Sequence, residues 1–132
     1  MDSLLTQVRF GIMSIGICIS SLLGGLDQLL FVLIAFSAAD YLTGIMKAII
    51  DHQVSSTIGA KGIFRKISIY VLVAVGNSLD QYILHANGTI RSMVILFYLS
   101  NEGISILENI SNLGLPIPAP IRDVLIQLSK TK

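Results

Sequence analysis

Charge is scarce in this chain. Only 13% of its 132 residues are Asp, Glu, Lys or Arg, against about 25% in an ordinary soluble domain. Hydrophobic residues make up 53%, and the mean hydropathy is +0.78. A water-soluble core of this size cannot use so much apolar side chain, whereas a bilayer can. One membrane domain spanning residues 1–132 is therefore expected. The net charge of +1 leaves no excess of Lys and Arg to neutralise a run of phosphates, which argues against nucleic-acid binding. A single cysteine, Cys18, excludes an internal disulfide, and its place in an apolar run marks it as a small packing residue. The phosphate-binding loop G-x-x-x-x-G-K-[ST], the G-x-G-x-x-G turn, the G-x-S-x-G elbow and H-E-x-x-H are all missing. His52 and His85 fall in loops expected on opposite sides, so no shared metal is expected. No nucleophile has an assigned base. Neither an enzyme nor a cofactor is expected. Asp2 stands where a signal peptide carries positive charge, and the first segment is expected to stay in the mature protein.

Long apolar runs are what the chain does have. A spanning helix needs about 20 mostly apolar residues. Four stretches approach that length, at about residues 10–26, 29–50, 63–84 and 90–110. Asp27 and Gln28 separate the first two, which makes a helical hairpin. A polar loop at 51–62 and a short turn around Asn87-Gly88 separate the others. The fold class expected is an all-α membrane protein with three to four transmembrane helices. In the three-helix version the first stretch is peripheral. With four spans, Arg9, Lys47, Lys61, Arg65, Lys66, Arg122, Lys130 and Lys132 share one side, leaving only Arg91 on the other. The basic side is cytoplasmic by the positive-inside rule, which puts both termini there. The tail at 115–130 combines Pro116, Pro118 and Pro120 with an amphipathic pattern. Ile121, Val124, Leu125 and Leu128 lie on one face, and Arg122, Asp123, Gln127 and Lys130 on the other. Such a helix lies on the inner leaflet, packs on a neighbouring subunit, or docks on its own domain.

Polar residues inside the apolar stretches are the functional candidates, because charge at that depth faces protein or water rather than lipid. They are Asp40 and Lys47 in the second stretch, and Asn77 and Asp80 in the third. In the fourth, Tyr98, Asn101, Glu102, Ser105, Glu108 and Asn109 recur every three or four residues, followed by Asn112. That spacing aligns them on one helix face, opposite Leu96, Leu99, Gly103, Ile106 and Ile110. The face is either a buried polar interface or a water-lined surface. Asp40 and Glu102 come out level, each about 16 Å along its helix, with no cation expected beside them. Lys47 and Glu108 come out level near the inner edge and could pair, unless Lys47 reaches the headgroups. Asp80 is either a buried site or simply solvated at the outer end. Arg65 and Lys66 read as inner-membrane anchors. Gly16, Ser20 and Gly24 form small-xxx-small steps suited to close helix packing, and Gly44 and Gly76 are further packing candidates.

Three blocks carry a family resemblance. They are Asp40-Tyr41-Leu42-Thr43-Gly44-Ile45, Gly62-Ile63-Phe64-Arg65-Lys66-Ile67, and Asn101-Glu102-Gly103-Ile104-Ser105-Ile106-Leu107-Glu108-Asn109. Asp80, Gly114 and Pro116 to Pro118 complete the pattern. Over about residues 30 to 130 the chain resembles the toxin-secretion and phage-lysis holins of Gram-positive phages and prophages, which include clostridial toxin-export holins. The resemblance implies a non-enzymatic homo-oligomer in the lipid bilayer of the bacterial cytoplasmic membrane. It further implies lesions that release a cell-wall hydrolase (endolysin) or a toxin, a functional partner rather than a bound one. The competing expectation from the residues is a small ion channel or transporter subunit with a carboxylate site at Asp40 and Glu102.

Overall fold

The computed structural model describes residues 1–130. Lys132, counted above among the basic residues of the inner side, lies outside them. Helix α1 spans Asp2–Leu22. It stops there because Gly24 and Gly25 adopt φ of +87° and +94°, a left-handed backbone open to glycine and strained for other residues. Helix α2 spans Gln28–Ile50 and is capped by Asp27, whose Oδ1 accepts from the Leu30 N–H at 2.9 Å. Helix α3 begins at Ser56, where the Ser55 hydroxyl accepts from the Ile58 N–H, and runs to Ser78. Its last turns, Leu79–Leu84, widen to π-helical geometry and end at His85 in the left-handed region. Helix α4 spans Thr89–Asn112. A linker containing Gly114 at φ +91°, Pro116 and Pro118 leads to α5, Ala119–Lys130, with Pro120 in its first turn, where no helical N–H is lost.

Helices α2 and α4 run side by side in the same direction. Asp27 meets Arg91 at one end, and Thr43 meets Asn109 near the other. Helix α3 runs against both, so that Gly76 touches Arg91 and Val94 while Lys66 reaches Glu102. The apolar core lies between these three helices, formed by Leu30 and Leu33, Ile69 and Val73, and Ile95 and Leu99. Leu128 of α5 packs against its edge.

The outside of this bundle is apolar. Helix α1 contributes no buried residue, and Phe10, Ile12, Ile15 and Ile17 all stand open along it. Phe31 and Leu42 do the same on α2. So continuous an apolar surface is unsuited to water and calls for lipid or another chain. Three helices are long and apolar enough to cross a membrane: α1, α2 and α4. The expected stretch at 63–84 falls below that mark, although α3 lies antiparallel between α2 and α4. Helix α3 is long enough, but its first half carries Lys61, Arg65 and Lys66, which lowers its hydropathy. Its start also moves. The expected polar loop to Gly62 shortens to the Ser55 cap, because Gly59 and Gly62 let α3 pack directly on the Tyr41 ring. Helix α1 likewise starts eight residues before the expected 10 and ends four before the expected 26.

Candidate functional site

A charged cluster sits inside the bundle. The Lys66 ammonium of α3 donates to Asp40 Oδ2 of α2 at 2.6 Å and to Glu102 Oε2 of α4. Glu102 is the deepest of the three, with 6% of its side chain exposed, against 15% for Lys66 and 16% for Asp40. Two carboxylates and one ammonium leave the cluster with a formal charge of −1. The Asn109 amide donates to Asp40 Oδ1 at 3.2 Å and to the Thr43 hydroxyl at 3.0 Å. One layer away, the Tyr70 hydroxyl donates to Ser37 Oγ at 3.1 Å. Among the described residues no buried side-chain nitrogen or oxygen lacks a partner. That is the condition on which a polar network survives in an apolar surrounding.

The expectation that no cation lies level with Asp40 and Glu102 is overturned by Lys66. The helix start makes the difference. Counted from Ser56 rather than Ile63, Lys66 stands about 15 Å into its helix, which brings it between the two carboxylates instead of to the headgroups. Beside the cluster opens a cavity of about 700 Å³. Asp40, Asn101, Glu102, Ser105 and Asn109 line its polar side, and Gly44 also borders it, a Cβ there meeting the Asn109 amide at 3.8 Å. Arg65 lies on the cavity wall but is otherwise exposed.

The polar face of α4 is divided by the fold. Asn101, Glu102, Ser105 and Asn109 turn to this cavity. Glu108 and Asn112 turn to a second groove beneath α5, together with Arg122. Tyr98 packs against the apolar core, edge-on to Phe97 at 5.1 Å. Among the described residues Lys47 and Glu108 form no ion pair, because Glu108 points to the α5 side.

Asn77, Asp80 and Arg91 form a separate lock at the opposite end. Asp80 is buried rather than solvated, and its two carboxylate oxygens accept the Ile90 and Arg91 N–H groups at 3.0 and 2.7 Å, capping α4 from α3. The π-helical turns around Asp80 carry it to that end. The Arg91 guanidinium donates to the Leu23 and Gly25 carbonyls and to both Asp27 carboxylate oxygens, at 2.6 to 3.2 Å. Asn77 Nδ2 donates to the Leu22 carbonyl at 3.1 Å. Arg91 thus clamps the α1–α2 turn, and its hydrogen bond holds the Asp27 carboxyl below the ordinary carboxylate value despite partial burial. Sequence reasoning placed Arg91 only as the lone outer cation. Asp27, at hairpin distance, was the available sign of a partner.

The small residues separate too. Gly76 packs α3 on α4, with a Cβ there meeting Val94 at 3.3 Å. Gly24 is no helix-packing residue, since it lies beyond the end of α1, and a Cβ on it would fall 2.5 Å from Arg91 Nε. Gly16 faces open space, and Ser20 is half-buried.

An apolar exterior, three helices of spanning length and charge held inside define a helical membrane protein. The particular kind follows from its relatives. A model of the bacteriophage holin family matches residues 17–130, and the chain belongs to that family. A probable holin of Bacillus phage phi105 is 36% identical over 93 residues, covering 70% of this chain and 68% of the phage protein. An uncharacterised 14.9 kDa protein of Clostridium perfringens is 36% identical over the whole of both chains. An uncharacterised protein of Listeria monocytogenes is 40% identical over 90% of this chain and 84% of its own. No solved structure matches.

Proposed function

We propose that this holin assembles into homo-oligomers in the bacterial cytoplasmic membrane, with both termini on the cytoplasmic side. There it opens lesions through which an endolysin or a toxin leaves the cell. The observation that carries the reading is the Asp40–Lys66–Glu102 cluster, buried in a bundle whose exterior is apolar. One chain of this size cannot enclose a hole wide enough for a folded enzyme. Many copies can, if each keeps its polar surface inside while the membrane is intact and turns it to water on opening. Asp40, Asn101, Glu102, Ser105 and Asn109 are the proposed lining, with Lys66 as the counter-ion that keeps them closed. No catalytic step is involved.

The test is induction of the chain in bacteria with assay of a cytoplasmic enzyme in the medium. Release is expected, and Asp40→Asn or Glu102→Gln should shift its timing. Ion-selective current without enzyme release would replace the lesion with a small channel, the reading favoured by a charged cavity of fixed size. Release with unchanged timing in both variants would remove the cluster from the mechanism.

A further inference from the structure

Helix α5 is docked where its last charge does not belong. Leu125 sits against the backbone of α4 at Gly103, and a Cβ on Gly103 would lie 2.8 and 2.9 Å from the Leu125 methyl carbons and 3.2 Å from the Phe36 ring. Arg122 lies beside Glu108, Ser111 and Asn112, and Leu128 reaches the apolar core, so α5 climbs α4 away from the Asn112 end. Gly103 is nine residues from that end, about 14 Å into the helix. Lys130, five residues beyond Leu125, stands deeper still.

One feature sets this position against a membrane-embedded α4. Lys130 is exposed on the bundle's flank, at the depth where lipid tails would meet it, and charge facing lipid there is strongly disfavoured. Docking buries only Leu125 of the apolar face, while Ile121 and Val124 remain 51% and 56% exposed. The mismatch vanishes if α5 lies in the membrane surface, with Ile121, Val124, Leu125 and Leu128 toward the acyl chains and the charged residues toward water. The linker permits it. Six residues separate Asn112 from Ala119, a reach of about 20 Å, with Gly114 as a left-handed pivot.

We propose that α5 is a lipid-surface-binding helix that leaves the Gly103 notch when the bundle enters a membrane, the docked form being its station outside lipid. This rests on α4 spanning the bilayer, as the proposed function requires. The partner is the surface of the bilayer at the Asn112 end, and the departure uncovers Gly103 and Phe36.

Purified full-length protein with Cys18→Ser would be placed in vesicles of phosphatidylglycerol and phosphatidylethanolamine. Phe97→Cys, Val124→Cys or Lys130→Cys would each carry one fluorophore, and lipids bearing a quencher at the headgroup or at the chain end would report depth. Quenching at 124 should be about twofold or more stronger from the headgroup position, and the reverse should hold at 97. The probe at 130 should escape the chain-end quencher. Stronger chain-end quenching at 124 or 130 would mean that α5 stays docked, which overturns the proposal with α4 still spanning. Loss of chain-end quenching at 97 would overturn it through the other route, by showing that α4 does not span.

Discussion

Replacing Lys66 by methionine isolates what holds the bundle's charge in place. Lys66→Met keeps most of the side-chain volume and removes the one ammonium between Asp40 and Glu102. Removing one partner from a buried ionic pair costs about 3–5 kcal/mol, because the remaining charge stays desolvated and unpaired. Here two carboxylates are left facing one another, although Lys66 and Asp40 keep some solvent access. The lower end applies, about 3 kcal/mol. For a chain of this size that is a fall of about 10 °C in Tm. The assay is thermal loss of helical circular dichroism in detergent micelles. The triple variant Asp40→Asn, Lys66→Met, Glu102→Gln removes every charge of the cluster and should recover most of the loss, since a neutral set no longer has an uncompensated charge. An unchanged Tm in Lys66→Met, or a triple variant no better than the single one, would refute the reasoning.

Gly24→Ala should cost about 2 kcal/mol, because it adds left-handed strain and drives a Cβ against Arg91 and Asn77. Gly25→Ala carries the strain alone, with no neighbour within 4 Å, and should cost less in the same melt. Asp80→Ala strips the acceptor from the Ile90 and Arg91 N–H groups and should cost about 1–2 kcal/mol, with faster amide hydrogen exchange confined to the first turn of α4. Because Arg91 depresses the Asp27 pKa, the stabilisation from this pair is present above the ordinary carboxylate value and fades as pH falls through the lowered one. Melts taken from neutral pH down to about 3 should therefore show an acid limb that Asp27→Asn flattens.

The class of fold was legible in composition and run length. With 53% hydrophobic residues and 13% charged, long apolar runs have no stable home in water, and a chain that must satisfy its own backbone inside lipid without strand pairing becomes helical. Asp27, Ser55, Gly24 and Gly25 act on their own neighbours, so helix ends follow from local chemistry. The family was legible because blocks such as Asp40 to Ile45 and Asn101 to Asn109 read without any fold at all.

The partners of the charged groups were not. The three-and-four spacing groups Glu102 and Glu108 in one polar stripe, but the six residues between them leave the two about 120° apart around the helix, so one faces the Lys66 cavity and the other lies beneath α5. Lys66 meets residues 26 and 36 positions away, and Arg91 meets carbonyls more than 60 positions back. Such pairings depend on where three helices start and how they slide against one another. A shift of the α3 start by seven residues moves Lys66 by about 10 Å along the bundle axis, from an expected membrane edge to the charged centre. Sequence alone determined that these charges had to be hidden from lipid. Helix register, set by glycine contacts such as Gly62 on Tyr41 and Gly76 on Val94, decided which charge hides which.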